Sequence, residues 1–246
     1  MGAQNGIVWT LHTEKSNGFT ECFTILERSH SWSSALVSKT GRGESSSRVR
    51  IPPSPPLFYD MKKVFIVHGF QGSPNGGWRP WLMSELEKLD VYACALAMPS
   101  PDLPVCNEWV EEVSRHITKN SADEIFLVGH SLGVPAILRY IESADNSINI
   151  FGAVLVSGPI EKNSNRKIDS FFESPFEFEK IKSAVKKFVV IQGDDDPNVP
   201  LSNAQNLSKI LDAELILIPN GGHLNGSSGW RELPQCLEAL KKMLIS

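Results

Sequence analysis

Ser131 lies in Gly129-His130-Ser131-Leu132-Gly133, directly after the apolar run Glu124-Ile125-Phe126-Leu127-Val128. A serine between glycines at the end of a strand-like run fits a nucleophile elbow, a sharp strand-to-helix turn that lifts Oγ above the sheet edge. The flanking glycines let neighbouring backbone pass close by. The next amide, that of Leu132, points at any oxyanion formed at the serine. An unassisted hydroxyl is a poor nucleophile at neutral pH, so Ser131 needs a base.

The chain has six histidines. His12 and His30 fall in the N-terminal 60 residues. His116 sits beside charged residues on a helix face and reads as a solvated side chain. His68 closes the first strand and His130 lies inside the elbow; both are near enough to reach the site, but packing and loop geometry are their expected work. His223 stands in Pro219-Asn220-Gly221-Gly222-His223, just past the last strand. The two glycines read as a flexible loop able to swing the imidazole over Ser131, which makes His223 the candidate base, against a structural loop histidine.

An orienting carboxylate should hold the histidine tautomer and stabilise the imidazolium as it forms. Asp194, Asp195 and Asp196 follow the strand at 187–192. Asp196 precedes Pro197, which restricts its backbone to extended conformations and fixes its direction. It is the favoured acid, with Asp195 as runner-up. Three adjacent acids also suggest a divalent-cation site. Hard cations need about six or more oxygens, however, and no partner carboxylates stand at suitable spacing. No metal or cofactor is called for. The second oxyanion donor should come from His68-Gly69-Phe70-Gln71-Gly72: the Phe70 amide, or alternatively that of Gln71. The loop holds no G-x-x-x-x-G-K-[ST] pattern for cradling phosphate.

These groups need a rigid scaffold, and the sequence from Met61 onward supplies one. Short Val/Ile/Leu/Phe-rich strands are expected at 64–67, 91–97, 124–128, 150–156, 187–192 and 214–218. Amphipathic helices alternate with them near 79–89, 107–119, from Ser131 onward, and near 176–185, 202–211 and 233–244. That alternation predicts an α/β fold, a mostly parallel sheet with helices on both faces. Its chemistry should sit at the carboxyl ends of the strands. The order serine, acid, histidine is that of an α/β-hydrolase. About 30 residues separate the strands at 150–156 and 187–192, too few for a large cap domain, so the site should be open. Phe171, Phe172, Phe176 and Phe178 could line an acyl pocket or pack a helix onto the sheet; Trp78 and Trp81 carry the same ambiguity.

Composition narrows the class. The 246 residues are 41% hydrophobic and 21% charged, with net charge −4, as expected of a soluble globular protein. Residues 1–60 carry +1 and the remainder −5, which offers no electrostatic footprint for nucleic acid. Cys22, Cys94, Cys106 and Cys236 are widely spaced, with no metal-ligand rhythm, and read as reduced thiols of a cytoplasmic protein. No stretch approaches the roughly 18 apolar residues of a membrane span. Residues 1–60 are Ser-rich, aperiodic and end in Pro52-Pro53-Ser54-Pro55-Pro56. They read as a disordered tail or a non-native extension, with Met61-Lys62-Lys63 resembling a translation start. The hydrolase domain is then 61–246.

Residues 61–246 resemble the small serine hydrolases of the YdeN and retinoblastoma-binding-protein-9 group. The resemblance rests on His68-Gly69-Phe70-Gln71-Gly72-Ser73-Pro74, Trp78-Arg79-Pro80-Trp81-Leu82, Met98-Pro99-Ser100-Pro101, Trp109, Gly129 to Gly133, Asp195-Asp196-Pro197 with Val199-Pro200, and Gly221-Gly222-His223. It implies an α/β-hydrolase fold without a large cap and a triad on Ser131, Asp196 and His223. Asp194 is a departure that leaves the choice of acid open. The expected reaction is acyl transfer from a small ester, thioester or amide through an acyl-enzyme, with activity falling as His223 protonates. The group's name also allows a second reading, a hydrolase scaffold acting mainly as a protein-interaction module.

Overall fold

The computed structural model describes residues 61–117, 123–144 and 148–245. The segment 1–60, with His12, His30 and Cys22, lies outside the described residues. Runs of β-branched and aromatic residues form six strands: β1 (Lys62–Val67), β2 (Tyr92–Leu96), β3 (Glu124–His130), β4 (Ile150–Val156), β5 (Phe188–Gly193) and β6 (Glu214–Ile218). All neighbouring strands pair in parallel, in the order β2-β1-β3-β4-β5-β6.

Side chains alternate across the sheet, and both faces are apolar. Val64, Ile66, Phe126, Val128, Val154, Val156, Val189 and Ile191 face one core. Phe65, Val67, Ile125, Leu127, Ala153, Leu155, Phe188 and Val190 face the other. Helices α1 (Arg79–Glu87) and α6 (Pro234–Leu244) cover the first face through Leu82, Leu86, Leu237 and Leu240. Helices α2 (Cys106–His116), α3 (Gly133–Ser143), α4 (Phe178–Ala184) and α5 (Leu201–Leu211) cover the second. Their buried residues keep helical spacing, as with Cys106, Trp109 and Val113 on α2. Each large apolar side chain so buried contributes about 1.5–3 kcal/mol.

The element order matches the sequence pattern, and the differences are local. Strand β3 runs on to His130, so the elbow begins at the strand end and α3 starts only at Gly133. Helix α2 ends at His116 and α4 has two turns. A 3-10 turn, Arg166–Phe172, precedes α4. That turn and α4 fill the β4–β5 connection, and no large cap forms. Phe171 and Phe172 are buried, and Phe176 and Phe178 pack against the same core. Trp78 is fully buried and Trp81 packs beside it. The phenylalanine and tryptophan clusters are therefore packing groups. Among the described residues no helix is long and apolar enough to cross a membrane.

After β2 the chain returns to place β3 on the far side of β1. The carboxyl ends of β1 and β3 thus meet at a topological switch point, where a crevice opens in folds of this kind. The loop after β1 carries His68 to Gly72; the turn after β3 carries Ser131.

Candidate active site

The elbow is built by close approach. A Cβ at Gly133 would lie 2.2 Å from the Val67 carbonyl oxygen, and one at Gly129 would lie 2.9 Å from the Gly133 carbonyl. Only glycine lets the first turn of α3 sit this near β1 and β3. Ser131 has φ of 53°, in the left-handed region that few non-glycine residues adopt. Its N–H donates to the Val156 carbonyl at 2.8 Å, which ties the strained residue to β4. The strain is held by surrounding structure, as is common at functional sites.

Ser131, His223 and Asp196 come together in one hydrogen-bonded line. His223 Nε2 lies 2.9 Å from Ser131 Oγ. Its Nδ1 lies 2.9 Å from Asp196 Oδ2 and 3.0 Å from Oδ1. A carboxylate only accepts, so Nδ1 carries the proton and Nε2 is left to accept from the serine hydroxyl. Asp196 also accepts from the amides of Asn198 (2.8 Å) and Val199 (3.1 Å) and from Gln192 Nε2 (2.8 Å). Burial alone would raise the Asp196 carboxyl. The His223 ring and the two amides outweigh it and hold the group below its ordinary range, so it stays ionised.

The three consecutive aspartates diverge instead of converging on a cation. Asp194 Oδ1 accepts the Asn220 N–H at 2.8 Å, and Asp195 Oδ1 accepts the Gly222 N–H at 2.7 Å. Only Asp196 reaches the imidazole. The loop that the glycines suggest is flexible is in fact pinned along its length. Trp230 Nε1 donates to the Gly221 carbonyl, His130 Nε2 to that of His223, and Trp78 Nε1 to that of Leu224, at 2.7, 3.0 and 2.7 Å. The Trp78 and His130 anchors have no local signature in the sequence, because they join residues 146 and 93 positions apart. A polar Gln192 ending an apolar strand is the one hint of the network.

His68 and His130 are buried and hold loop backbone in place. His68 Nδ1 donates to the Gly69 carbonyl at 2.8 Å, and its Nε2 accepts the Met98 N–H at 3.3 Å. Burial above all lowers His68 to about 4 and His130 to about 3, so both rings are neutral at pH 7. The two candidate amides of the loop after β1 differ in availability. The Gln71 N–H donates to the Pro101 carbonyl at 2.9 Å, whereas the Phe70 and Leu132 amides have no acceptor among the described residues. That geometry favours Phe70 over Gln71 as the partner of Leu132.

With this arrangement in view, the family model for serine hydrolases matches residues 64–242. The chain belongs to the serine hydrolase family. It is similar to YdeN of Bacillus subtilis strain 168, 34% identical over 180 residues that make up 73% of this chain and 94% of that protein. It is also similar to the serine hydrolase RBBP9 of Rattus norvegicus, 26% identical over 187 residues, 74% of this chain and 95% of that one. The crystal structure of the B. subtilis ydeN gene product superposes with a TM-score of 0.69 at 32% identity, covering 76% of this chain and 100% of that one. Est1E from Butyrivibrio proteoclasticus shares the fold, with a TM-score of 0.59 at 15% identity over 76% of this chain and 90% of its own.

In this serine hydrolase a cleft of about 400 Å³ opens over Ser131 and His223. Its walls are mostly backbone and polar groups from the Gly69–Gly77 loop and from Asn225 to Ser227, with Phe70 as the large apolar side chain. Arg79 and Arg231 also border it.

Proposed function

We propose that this hydrolase cleaves small carboxylic esters, with thioesters or amides as related substrates, through an acyl-enzyme on Ser131. His223 Nε2 takes the hydroxyl proton as Oγ bonds to the carbonyl carbon. Ionised Asp196 holds the ring and stabilises the imidazolium. The Phe70 and Leu132 amides donate to the oxyanion, where one such donor is worth about 100- to 1000-fold in turnover. As the intermediate collapses, the bond to the leaving group breaks and His223 returns the proton to that group. Water repeats the sequence and frees the acid. The observation that carries this reading is the unbroken Ser131–His223–Asp196 relay at 2.9 Å per step.

A fluorophosphonate probe tests it. Wild-type protein should be labelled and Ser131→Ala should not, and p-nitrophenyl esters from acetate to octanoate should be turned over by the wild type alone. A folded wild type that neither labels nor hydrolyses any of them overturns the reading and favours the interaction module. We assign the protein to the cytoplasm on chemical grounds: Cys106 and Cys236 are buried free thiols, as suits a reducing compartment.

A further inference from the structure

Arg79 is only 5% exposed, yet among the described residues it has no carboxylate partner. Its Nε donates to the Ser73 carbonyl at 2.9 Å, and no acceptor among the described residues takes its remaining N–H groups. The Trp78 ring lies 5.9 Å from the guanidinium carbon, and the remaining N–H groups are not sealed in the core, so a charge largely withdrawn from water keeps donors free for a group in the cleft. Burial lowers the guanidinium to about 10, so it keeps its charge at neutral pH. It borders the cleft over Ser131, and so does the exposed Arg231, which has no ion-pair partner among the described residues either.

The two guanidinium groups approach one glycine-lined seam. Arg79 Nη2 comes within 2.5 Å of where a Gly76 Cβ would stand, and Arg231 Nη1 within 3.1 Å of one at Gly226. Gly77 and Gly226 pack backbone to backbone between them. Lys167 Nζ adds a further positive charge, 5.9 Å from the Phe70 ring. Among the described residues no acidic side chain borders the cleft. Asp196 lies behind His223 with both oxygens engaged, and Asp195 and Asp194 accept from the Gly222 and Asn220 amides of the loop outside the cleft lining.

We propose that the cleft selects esters bearing an anionic group, a carboxylate or a phosphate, held by Arg79 from below and Arg231 from the rim. This inference rests on the hydrolase reading of Ser131. Planar guanidinium forks suit both anions, since each offers paired oxygens. The preference is electrostatic and local, and it runs against the negative charge of the domain as a whole.

The test compares matched esters at low and high salt, each rate divided by that for spontaneous hydrolysis. Mono(4-nitrophenyl) adipate against 4-nitrophenyl hexanoate places the charge on the acyl side. 4-Acetoxybenzoate and 4-acetoxyphenyl phosphate against 4-acetoxybenzamide place a carboxylate or a phosphate on the leaving group. At least one anionic ester should exceed its neutral partner in kcat/KM by about tenfold or more, the scale of one charge-assisted hydrogen bond. Raising the salt should shrink the advantage. R231Q at the surface should narrow it, and R79Q should narrow it further, with R79K restoring part. If R79Q does not fold, R231Q and R79K carry the test. Equal rates for charged and neutral esters, with Ser131 still labelled by fluorophosphonate, overturn the anion preference and leave the hydrolase reading standing. A preference that survives in R231Q and R79K unchanged also overturns it. Loss of labelling in the wild type overturns both.

Discussion

The Asp195 carboxylate accepts the Gly222 N–H at 2.7 Å, so the acid next to the one that holds the imidazole fixes the loop that carries it. Two adjacent aspartates thus do different work on the same histidine. Asp196 accepts from the ring and fixes its tautomer; Asp195 holds the backbone of the loop on which the ring stands.

That division predicts a graded result. Asp196→Asn should lower kcat by about 10⁴-fold with the fold intact, because the ring loses its ionised partner. Asp195→Ala removes one exposed hydrogen bond and should cost no more than about tenfold, the scale of a single modest contact. Asp195→Asn, which can still accept from Gly222, should recover most of that loss. Steady-state kinetics with circular dichroism as a folding control would check it, and equal losses at the two positions would contradict the assignment.

Gly133→Ala should damage the fold before it damages chemistry. Its Cβ would meet the backbone of β1 at 2.2 Å, and backbone cannot rotate away as a side chain can. Overpacking of this kind costs about 1–3 kcal/mol or more. Thermal melts should show a clear drop in Tm, and an unchanged Tm would mean that α3 is not held against β1 as described.

Stability should fall on the acid side of neutrality. His68 and His130 ordinarily titrate near 6.5, and burial pushes them down to about 4 and about 3 in the folded protein. The unfolded chain therefore binds the extra protons first. Stability from these groups is complete above about pH 6.5 and is lost as the pH falls toward the folded values, by about 1.4 kcal/mol per pH unit for each ring. Asp196 acts in the same sense at lower pH, since its folded carboxyl is also depressed. Urea midpoints should decline steadily from about pH 6.5 to about pH 4.5 and hold between pH 7 and 8. A midpoint at pH 4.5 equal to that at pH 7 would refute the buried neutral rings.

We also propose that residues 61–246 form the working domain. The family match lies within them, as do both cores and every group of the candidate site. Protein beginning at Met61 should match the full chain in urea midpoint and in kcat/KM for a neutral ester. A shortfall in either would give residues 1–60 a part in the domain.

Much of this was legible in the sequence because it is written locally. Short continuous Val/Ile/Leu/Phe-rich runs and helical spacing mark the strands and the helices between them. A serine between glycines at a strand end marks the elbow, and the order Ser131, Asp196, His223 marks the class of fold. The tertiary structure decided what depends on direction. Pro197 favours Asp196 among the three aspartates but leaves Asp195 open; the fold turns Asp196 toward a ring 27 residues away. That ring in turn meets a serine 92 residues distant. Phe70 and Gln71 both offer an amide, and the Pro101 carbonyl takes one of them. The Gly221-Gly222 pair reads as freedom, but Trp78, His130 and Trp230 remove it. Sequence spacing specifies which elements form, through backbone periodicity and steric limits; which side chains meet is set only when the sheet brings distant strand ends to one edge.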